Sequence, residues 1–389
     1  MERAESGLAR VARTRWAAVG RSAHPDAATA AHEAARAALD GQGDPGLLLV
    51  FASGAYDLPV LTAAINEFAA GIPLVGCTSA GEIDASGPST GSVVVLALGG
   101  EGFSFSVATV TGAEPRDAGA RVAACIGDVA DRPHRVLLLL ADGTAAIHAD
   151  VVRGAYSVAG AGVPLVGGVA GHPGHGHGEG QALVYGSAVL RDAVAGVAIG
   201  SDAPLGVGVR HGWQPIGEPM LVTRAAPGRI LELDERPAAE VYRERLGGVL
   251  DDDVVLGHPL GLQPRVGEAH ARSVTLDGAP DGSIDCAVPQ GALVWLMEGA
   301  TDAVLEAAGA ACADALAALG GAAPTALIPF DCIARLRYLG DDLAADEVAR
   351  IAGHAAGAPI AGLYTYGEIA RTRGIVGYHQ QTFVVLAVA

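Results

Sequence analysis

Two neighbouring stretches decide the fold: Leu47–Ser53 reads LLLVFAS, and Pro73–Ile83 reads PLVGCTSAGEI. Between them lies an alanine-rich stretch with helical character, Pro59–Ala70. Unbroken apolar strands on either side of a helix are typical of sheets whose two faces are both covered. Proline immediately before the second apolar run suits the first residue of a strand, where no ladder hydrogen bond is lost. The sequence therefore predicts a strand–helix–strand unit that ends in a glycine-rich turn.

The same order of elements recurs twice, within residues 136–171 and again within residues 325–369. The first and third copies also share the next strand, SVVVLAL at Ser92–Leu98 and TFVVLAV at Thr382–Val388. Such self-similarity is the sequence signature of a repeated structural unit. We therefore predict an α/β fold in which duplicated strand–helix–strand–strand units form mixed sheets covered by helices.

The length of 389 residues suggests two or three domains. A helix is predicted at Glu232–Leu246, with Asp234 as its N-cap, and we place a domain boundary near residue 240. The predicted organisation is an N-terminal lead at 1–28, a first domain at 29–240 and a second domain at 241–389. Further strands are predicted at 103–110, 182–190, 193–200 and 205–211.

Charge and composition exclude several classes of protein. The chain has 43 acidic and 25 basic residues, a formal net charge of −18, which disfavours nucleic acids and anionic membranes as partners. The basic residues are all arginine. No lysine is therefore available for a Schiff base or a phosphate loop, which excludes pyridoxal enzymes and P-loop kinases. No apolar run reaches the roughly 18 residues of a membrane helix, so we expect no membrane insertion.

The five cysteines contain no CxxC pair and no even framework, which argues against a zinc ribbon and a disulfide scaffold. Unpaired cysteines suit a reducing compartment, and the start of the chain lacks the apolar core of a signal peptide. No GxSxG, HExxH or calcium-loop motif is present either. We therefore expect a cytoplasmic protein with no cofactor.

Polar side chains follow the second strand of the first and third copies. Thr78, Ser79 and Glu82 lie in the first of these turns, and open α/β sheets bind ligands outside the carboxyl ends of their strands. The alternative is a tight turn that only leads into the next strand. The equivalent turn of the third copy carries two tyrosines, and we expect its polar residues to line a small pocket. These residues are Tyr364, Thr365, Tyr366 and Glu368.

Arg335 and Cys332 lie at the end of the first strand of the third copy. Arg335 suits bidentate binding of a carboxylate; the alternative is an ion pair with a neighbouring acid such as Glu368. Cys332 suits a nucleophile if a histidine such as His379 lowers the pKa of its thiol. A free cysteine on an apolar strand is more often a small core residue.

Two other groups of residues attract attention. Imidazoles and a carboxylate, the ligand types of zinc or nickel, crowd together at His172, His175, His177 and Glu179. Glycines separate them and no helix or strand fixes their geometry, so we expect a solvated loop and no metal. His211 and Trp213 lie at a strand end, where the indole either stacks over a ligand or seals an edge of the core.

Taken together, the motifs resemble the FIST proteins, in which a FIST N sensory domain precedes a FIST C domain. The resemblance runs in collinear order over residues 45–389, on the motifs PLVGCTSAGEI, HGWQPIGEPMLVT, ILELDERPAAEVY, HPLG, DCIAR, PIAGLYTYGEIA and HQQTFVVLAV. It implies a role in signal transduction and binding of a small ligand such as an amino acid. Many relatives carry an output module, and none is found before residue 30 or after Ala389. We therefore expect a stand-alone sensor that acts through a separate partner protein.

An amino acid carries a carboxylate and an ammonium group, so its pocket needs an arginine close to an acid. The motifs supply Arg335 or Arg272 for the carboxylate and Glu368 for the amine. The residues expected around them are Tyr366, His379, Gln381 and Thr382. Two other functions remain open: a hydrolase or transferase that uses Cys332 with His379, and a non-catalytic scaffold for protein interactions.

Overall fold

The computed structural model describes residues 14–69, 71–143, 145–173, 180–248, 251–263, 269–276, 281–372 and 377–389. These residues form three repeated units and one inserted sheet. Each unit has the order strand, helix, strand, helix, strand, two-stranded hairpin, strand. The predicted α/β fold with mixed sheets and helices is confirmed.

Unit 1 spans residues 16–99. Its elements are β1 (Trp16–Ser22), α1 (Ala27–Leu39), β2 (Pro45–Ser53), α2 (Leu58–Ala69), β3 (Leu74–Ser79), β4 (Glu82–Asp84), β5 (Gly87–Ser89) and β6 (Val93–Gly99). Strands β2 and β3 are parallel, whereas β6 runs antiparallel to both β1 and β2. Asp26 caps α1 by accepting a hydrogen bond from Thr29 N at 2.9 Å.

Unit 2 spans residues 103–201 and repeats this order. Its elements are β7 (Phe103–Thr111), α3 (Pro115–Ala123), a 3₁₀ helix (Ala124–Val129), β8 (His134–Ala141), α4 (Ala145–Ala159), β9 (Leu165–Val169), β10 (Leu183–Tyr185), β11 (Ala188–Leu190) and β12 (Ala193–Ser201). Strands β8 and β9 are parallel, and β12 lies antiparallel between β8 and β7.

Unit 3 begins with β13 (Leu205–Arg210) and is then interrupted by the inserted sheet. The inserted sheet contains β14 (Gln214–Ala226), β15 (Arg229–Leu233), β16 (Arg236–Pro237), α5 (Ala238–Arg245), α6 (Asp252–Leu256), β17 (Leu260–Leu262), β18 (His270–Arg272), β19 (Ile284–Asp285) and β20 (Leu293–Glu298). Unit 3 resumes with α7 (Thr301–Ala317), β21 (Ala326–Cys332), α8 (Ile333–Ala355), β22 (Ala361–Thr365), β23 (Glu368–Arg371), β24 (Tyr378–His379) and β25 (Phe383–Val388).

Each unit gives its hairpin to the sheet of another unit. The three sheets have the orders β1-β6-β2-β3-β10-β11, β7-β12-β8-β9-β23-β24 and β13-β25-β21-β22-β4-β5. The hairpin of unit 1 thus completes the sheet of unit 3, that of unit 2 completes unit 1, and that of unit 3 completes unit 2. The three exchanges close a ring, so every sheet depends on two units.

The three sheets share one inner core. Apolar side chains from all three meet there, among them Leu49, Leu138 and Ile328. Helices α1 and α2 cover the outer face of unit 1, and the helices of units 2 and 3 share a second outer cluster. The central strands are therefore buried on both faces, which explains their unbroken apolar sequences. No helix in the described ranges is long and apolar enough to cross a membrane.

The glycine that ends each PLVG or PIAG motif is required because two parallel strands approach closely there. A Cβ atom built on Gly76, Gly167 or Gly362 lies 1.8, 1.9 or 2.1 Å from a carbonyl oxygen of the adjacent parallel strand. No side chain fits at that separation, so the repeated motif records a packing constraint.

Two local predictions are wrong. The predicted lead at 1–28 contains β1, which pairs along the whole of β6 and so belongs to the folded body. The helix predicted at 232–246 begins only at Ala238. Asp234 and Glu235 have positive φ values of 50° and 64° in the turn between β15 and β16, so Asp234 does not cap a helix.

The strand predicted at 182–190 is two short strands, β10 and β11, that form a hairpin. Residue 240, near which we placed a boundary, lies in α5 and within the inserted sheet. The division into domains at 29–240 and 241–389 stays a prediction.

We predict that Gly76→Ala lowers the free energy of unfolding by about 1–3 kcal/mol, because the added methyl group forces β2 and β3 apart. Gly127→Ala is the matched control, since a Cβ at that position meets no atom within 4 Å. Urea denaturation of both variants checks this. Equal stability of the two variants would contradict the packing explanation.

Candidate functional site

A buried glutamate closes unit 1. Glu82 is fully buried, and its Oε1 accepts a hydrogen bond from Ser79 Oγ. Its Oε2 accepts hydrogen bonds from Ser92 N at 3.0 Å and Ser92 Oγ at 2.7 Å. One carboxyl group thus joins the end of β3, the start of the exchanged hairpin and the start of β6. Burial raises the pKa of Glu82 to about 7 although these hydrogen bonds lower it.

Unit 3 repeats this arrangement. Glu368 Oε1 accepts a hydrogen bond from Thr365 Oγ1 at 2.7 Å, and Oε2 accepts one from Thr382 N at 3.1 Å. Burial raises the pKa of Glu368 to about 8, against the effect of hydrogen bonds from Thr365, Thr382 and the thiol of Cys332. The structure brings these four predicted residues together, as a closed cage of buried groups.

Unit 2 uses a different carboxyl group to bind the equivalent backbone N–H. In the sheet register, Leu183 holds the place that Glu82 and Glu368 hold in the other two units. Asp142 Oδ1 instead accepts a hydrogen bond from Ala193 N at 2.6 Å. Ala193 begins the last strand of its unit, and the amide donors of units 1 and 3, Ser92 and Thr382, lie one residue before the equivalent strands β6 and β25. In every unit a buried carboxyl group therefore satisfies the same backbone N–H.

The polar residues of the two glycine-rich turns, which we expected to bind a ligand or to line a small polar pocket, are hydrogen-bonded within the protein. Thr78 is also enclosed, since its Oγ1 accepts a hydrogen bond from Ala182 N at 3.1 Å. The turn residues that are buried and bonded within the protein are Thr78, Ser79, Glu82, Thr365, Glu368 and Thr382. The alternative interpretation, a turn that closes the chain before its next strand, is the one that the structure supports.

Arg335 lies in a buried ion-pair network. Its Nε donates to Asp331 Oδ1 at 2.8 Å and its Nη2 donates to Glu347. Further hydrogen bonds reach His211 O at 2.8 Å and Val304 O at 3.0 Å. The guanidinium is fully buried and its partners are two acids of its own chain, which agrees with the alternative interpretation of Arg335 as a member of an ion pair. The glutamate of the third turn is not one of them.

The geometry does not join Cys332 and His379 as nucleophile and base. Cys332 is buried, and burial, followed by the nearby Glu368, raises the pKa of its thiol well above the usual range. His379 Nε2 is hydrogen-bonded to Ala370 O at 2.9 Å, and burial lowers its pKa to about 3. A reactive cysteine needs the thiolate form, which these surroundings oppose.

Trp213 seals an edge of the core. It is 1% exposed, its Nε1 donates to Gln381 O at 2.9 Å, and its ring centre lies 5.0 Å from that of Tyr338. His211 connects this segment to the inserted sheet through a 2.7 Å hydrogen bond between Nε2 and Ala269 O. Of the two interpretations of this pair, the structure favours core sealing over stacking on a ligand.

The histidine-rich segment is only partly described. His172 lies within the described ranges, and its carbonyl oxygen accepts a hydrogen bond from Tyr366 Oη at 2.8 Å. That bond joins the turns of units 2 and 3. The other members of the group, His175, His177 and Glu179, lie outside the described residues. Among the residues that are described, no group of three or more His, Cys, Asp or Glu is arranged to hold a metal ion.

Two surface cavities lie beside the polar strand ends of units 1 and 2. The larger has a volume of about 570 Å³ and is lined by Gly54, Tyr56, Asp57, Leu58, Pro59, Gly180, Val189 and Arg191. The smaller, of about 270 Å³, is acidic and includes Glu114, Asp142 and Asp192 in its lining. Neither of these two cavities is lined by Arg272, Arg335 or Glu368.

The larger cavity, which we call the unit 1 pocket, lies where β2 ends and α2 begins. Asp57 Oδ1 accepts a hydrogen bond from Val60 N at 3.2 Å, as a helix cap does. Arg191 Nη1 donates to Gln181 O at 2.8 Å. The hydroxyl of Tyr56 bonds to two backbone carbonyl groups at 3.0 Å. The pocket thus contains a carboxylate and a guanidinium group, and each has a hydrogen bond to the backbone.

Sequence reasoning did not single out Asp57 or Arg191. The available signal was position: Asp57 follows closely on the first apolar strand, at the carboxyl end where α/β sheets bind ligands. Arg191 gave no such signal, because it reaches the pocket only through the exchange of the unit 2 hairpin.

The chain belongs to the FIST family. It matches the FIST N domain over residues 46–236 and the FIST C domain over residues 238–371, which confirms the resemblance seen in its motifs. FIST domains are signal-transduction domains thought to bind small ligands.

Comparison with other proteins adds little. No curated protein matches the chain. Similar solved structures include a cyanuric acid hydrolase described as an evolutionary innovation by structural concatenation, with 12% identity and a TM-score of 0.35 over 96% of this chain and 100% of that one. A second cyanuric acid hydrolase, from A. caulinodans, has 10% identity and a TM-score of 0.32 over 96% and 99% of the two chains. Scores at this level do not establish a common fold.

We predict that Glu368→Leu lowers the free energy of unfolding by about 1–3 kcal/mol, because it leaves the buried N–H of Thr382 without an acceptor. Glu368→Gln is the control, since its amide oxygen still accepts that hydrogen bond. Urea denaturation at pH 7 separates them. Equal stability of the leucine and glutamine variants would show that the hydrogen bond from Thr382 N does not stabilise the fold, and would contradict the prediction.

We also predict that stability falls as the pH rises from about 4.5 to about 8. The folded pKa values of Glu82 and Glu368, about 7 and about 8, exceed the ordinary 4.5. The folded state therefore holds protons that the unfolded state releases, and stability is lost as the pH rises through the folded values. The double variant Glu82→Gln/Glu368→Gln should show a flatter profile in urea titrations. An identical slope in wild type and variant would contradict this assignment.

Proposed function

We propose that the protein is a sensor of an amino acid or a similar small zwitterion, and that the ligand binds in the unit 1 pocket. One observation carries the proposal: Asp57 and Arg191, which have opposite charges, line the same cavity. Opposite charges held apart around open space match a ligand that carries both an ammonium and a carboxylate group.

The remaining walls suit such a ligand. Leu58, Pro59 and Val189 supply an apolar surface, and the ring of Tyr56 is fixed by its two hydrogen bonds. Ligand pockets typically combine apolar walls with a few positioned polar groups, in volumes of roughly 300–1,000 Å³. A volume of about 570 Å³ therefore accommodates an amino acid together with its side chain.

The unit 1 pocket replaces the pair of Arg335 and Glu368 that the motifs suggested. Arg335 already has two carboxyl partners, and both oxygens of Glu368 accept hydrogen bonds within the cage. The logic of the earlier pair, an arginine beside an acid, carries over to Arg191 and Asp57.

We further propose that the signal passes to a separate partner protein in the cytoplasm. The role of FIST domains in signal transduction supports a partner. All five cysteines are free and buried, which suits a reducing compartment.

The test is a thermal-shift panel of the twenty amino acids and related carboxylates on the full chain. A ligand at 100 times its Kd stabilises a protein by about 2.7 kcal/mol. Asp57→Asn keeps the helix cap but removes the charge, and Arg191→Gln removes the guanidinium. We expect each variant to lose roughly 10- to 100-fold in affinity, because a hydrogen bond to a charged group contributes about 1.5–3 kcal/mol.

The control variants are Asp150→Asn and Arg153→Gln, which alter an exposed ion pair on α4 and should leave binding unchanged. Wild-type affinity in Asp57→Asn and Arg191→Gln, for a ligand that binds, would rule out this pocket. A panel with no shift at all would count against an amino-acid ligand and favour a scaffold.

A further inference from the structure

A second group of polar residues lies where the inserted sheet meets the body of the protein. Strand β18 ends the inserted sheet, and β24 ends the sheet of unit 2. The rings of His270 on β18 and His379 on β24 lie 5.6 Å apart, edge to face. Arg272 and Tyr378 extend from the same two strands. This group is separate from the unit 1 pocket and does not rest on the function proposed for it.

Arg272 is a buried cation that has no carboxyl partner among the described residues. It is 8% exposed, and its hydrogen bond goes from Nη1 to Ala271 O at 3.0 Å. The acidic groups that act on it are the thiol of Cys286 and the hydroxyl of Tyr378, and burial keeps both neutral by raising their pKa. No carboxyl group in the described ranges is among them. A buried guanidinium normally has an acid partner.

Tyr378 adds a second unsatisfied group to the same place. It is 7% exposed, and its hydroxyl has no hydrogen-bond partner in the described part of the chain. Buried hydroxyl groups are nearly always bonded. Its electrostatic neighbours include Arg272, so this hydroxyl and the guanidinium, both without a described partner of the expected kind, belong to one group.

The surrounding histidines add no charge to the site. Burial is the main cause that lowers the pKa of His270 to about 4 and of His379 to about 3, and Arg272 lowers both further. At neutral pH these imidazoles are uncharged. Burial raises the pKa of Glu368, which lies opposite His379 in the sheet, to about 8 and so favours its neutral form.

Arg335 provides a comparison, because it is a buried arginine with a structural role. That guanidinium is also fully buried, yet it has Asp331 and Glu347 as partners and four hydrogen bonds. Within the described ranges, Arg272 has one hydrogen bond and no acid partner. Arg335 is thus paired with acids of the protein, whereas no described carboxyl group is paired with Arg272.

We propose that Arg272 and Tyr378 form a buried binding site for the carboxylate or phosphate group of a small molecule. The planar guanidinium offers paired N–H donors that match either anion, and the hydroxyl of Tyr378 offers a further donor. Because Arg272 comes from the inserted sheet and Tyr378 from the exchanged hairpin of unit 3, the bound anion joins the two parts of the protein.

The test measures thermal unfolding of the full chain in sodium acetate, sodium phosphate and sodium chloride at equal ionic strength. We expect acetate or phosphate, but not chloride, to raise the Tm to a plateau. Acetate alone would identify a carboxylate site, and phosphate alone a phosphate site. Arg272→Met should abolish the shift, and Tyr378→Phe should weaken the apparent affinity about tenfold. Arg229→Met, which removes ion pairs with Asp281 and Asp285 in the inserted sheet, should retain the shift.

Sodium chloride alone provides an independent check. There, Arg272→Met should be at least as stable as the wild type, because it removes an unpaired buried charge. A large loss of stability, or failure to fold, would show that Arg272 already has a partner and would overturn the proposal. The proposal would equally be overturned if neither acetate nor phosphate shifted the wild type, or if Tyr378→Phe bound the probe with wild-type affinity.

Discussion

The architecture depends on one kind of hydrogen bond: a buried carboxyl group that accepts from the backbone N–H at the start of the last strand in each unit. Glu82, Asp142 and Glu368 provide it. At that point the chain returns from a hairpin that has paired with another unit, so its first amide lacks a ladder partner. Leaving such an amide buried and unbonded costs about 1–3 kcal/mol. The carboxyl groups make the exchange of hairpins compatible with a dry core, and the exchange in turn holds the three sheets together.

This constraint also separates structural polar groups from those available to a ligand. The cages around Glu82 and Glu368 and the network around Arg335 consume their donors and acceptors internally. Asp57 and Arg191 line a cavity, and Arg272 has no carboxyl partner among the residues that the structure describes. In a chain with so many buried polar side chains, chemical type alone therefore does not identify a binding site. The partners of each side chain do.

Much of the fold was predictable because burial on both faces leaves unbroken apolar runs such as Leu47–Ser53. The exchanged hairpins could not be predicted, because their strands are only two to four residues long and because they pair with strands of other units. That Asp142 takes the role of the glutamate in unit 2 could be recognised only from the pairing of the strands. The partner of Arg335 was misjudged because Glu347 approaches from farther along α8, beyond the break at Gly340. The motifs thus identified residues that matter to the fold, while the pocket residues carried no motif.

The most direct test of this account is amide hydrogen exchange at Ser92, Ala193 and Thr382, measured residue by residue on the native protein. If carboxyl groups close the three units, these amides should exchange only through global unfolding, as slowly as amides in the central strands. Fast exchange at these positions, with the central strands still protected, would show that the amides are not held and would contradict the central claim.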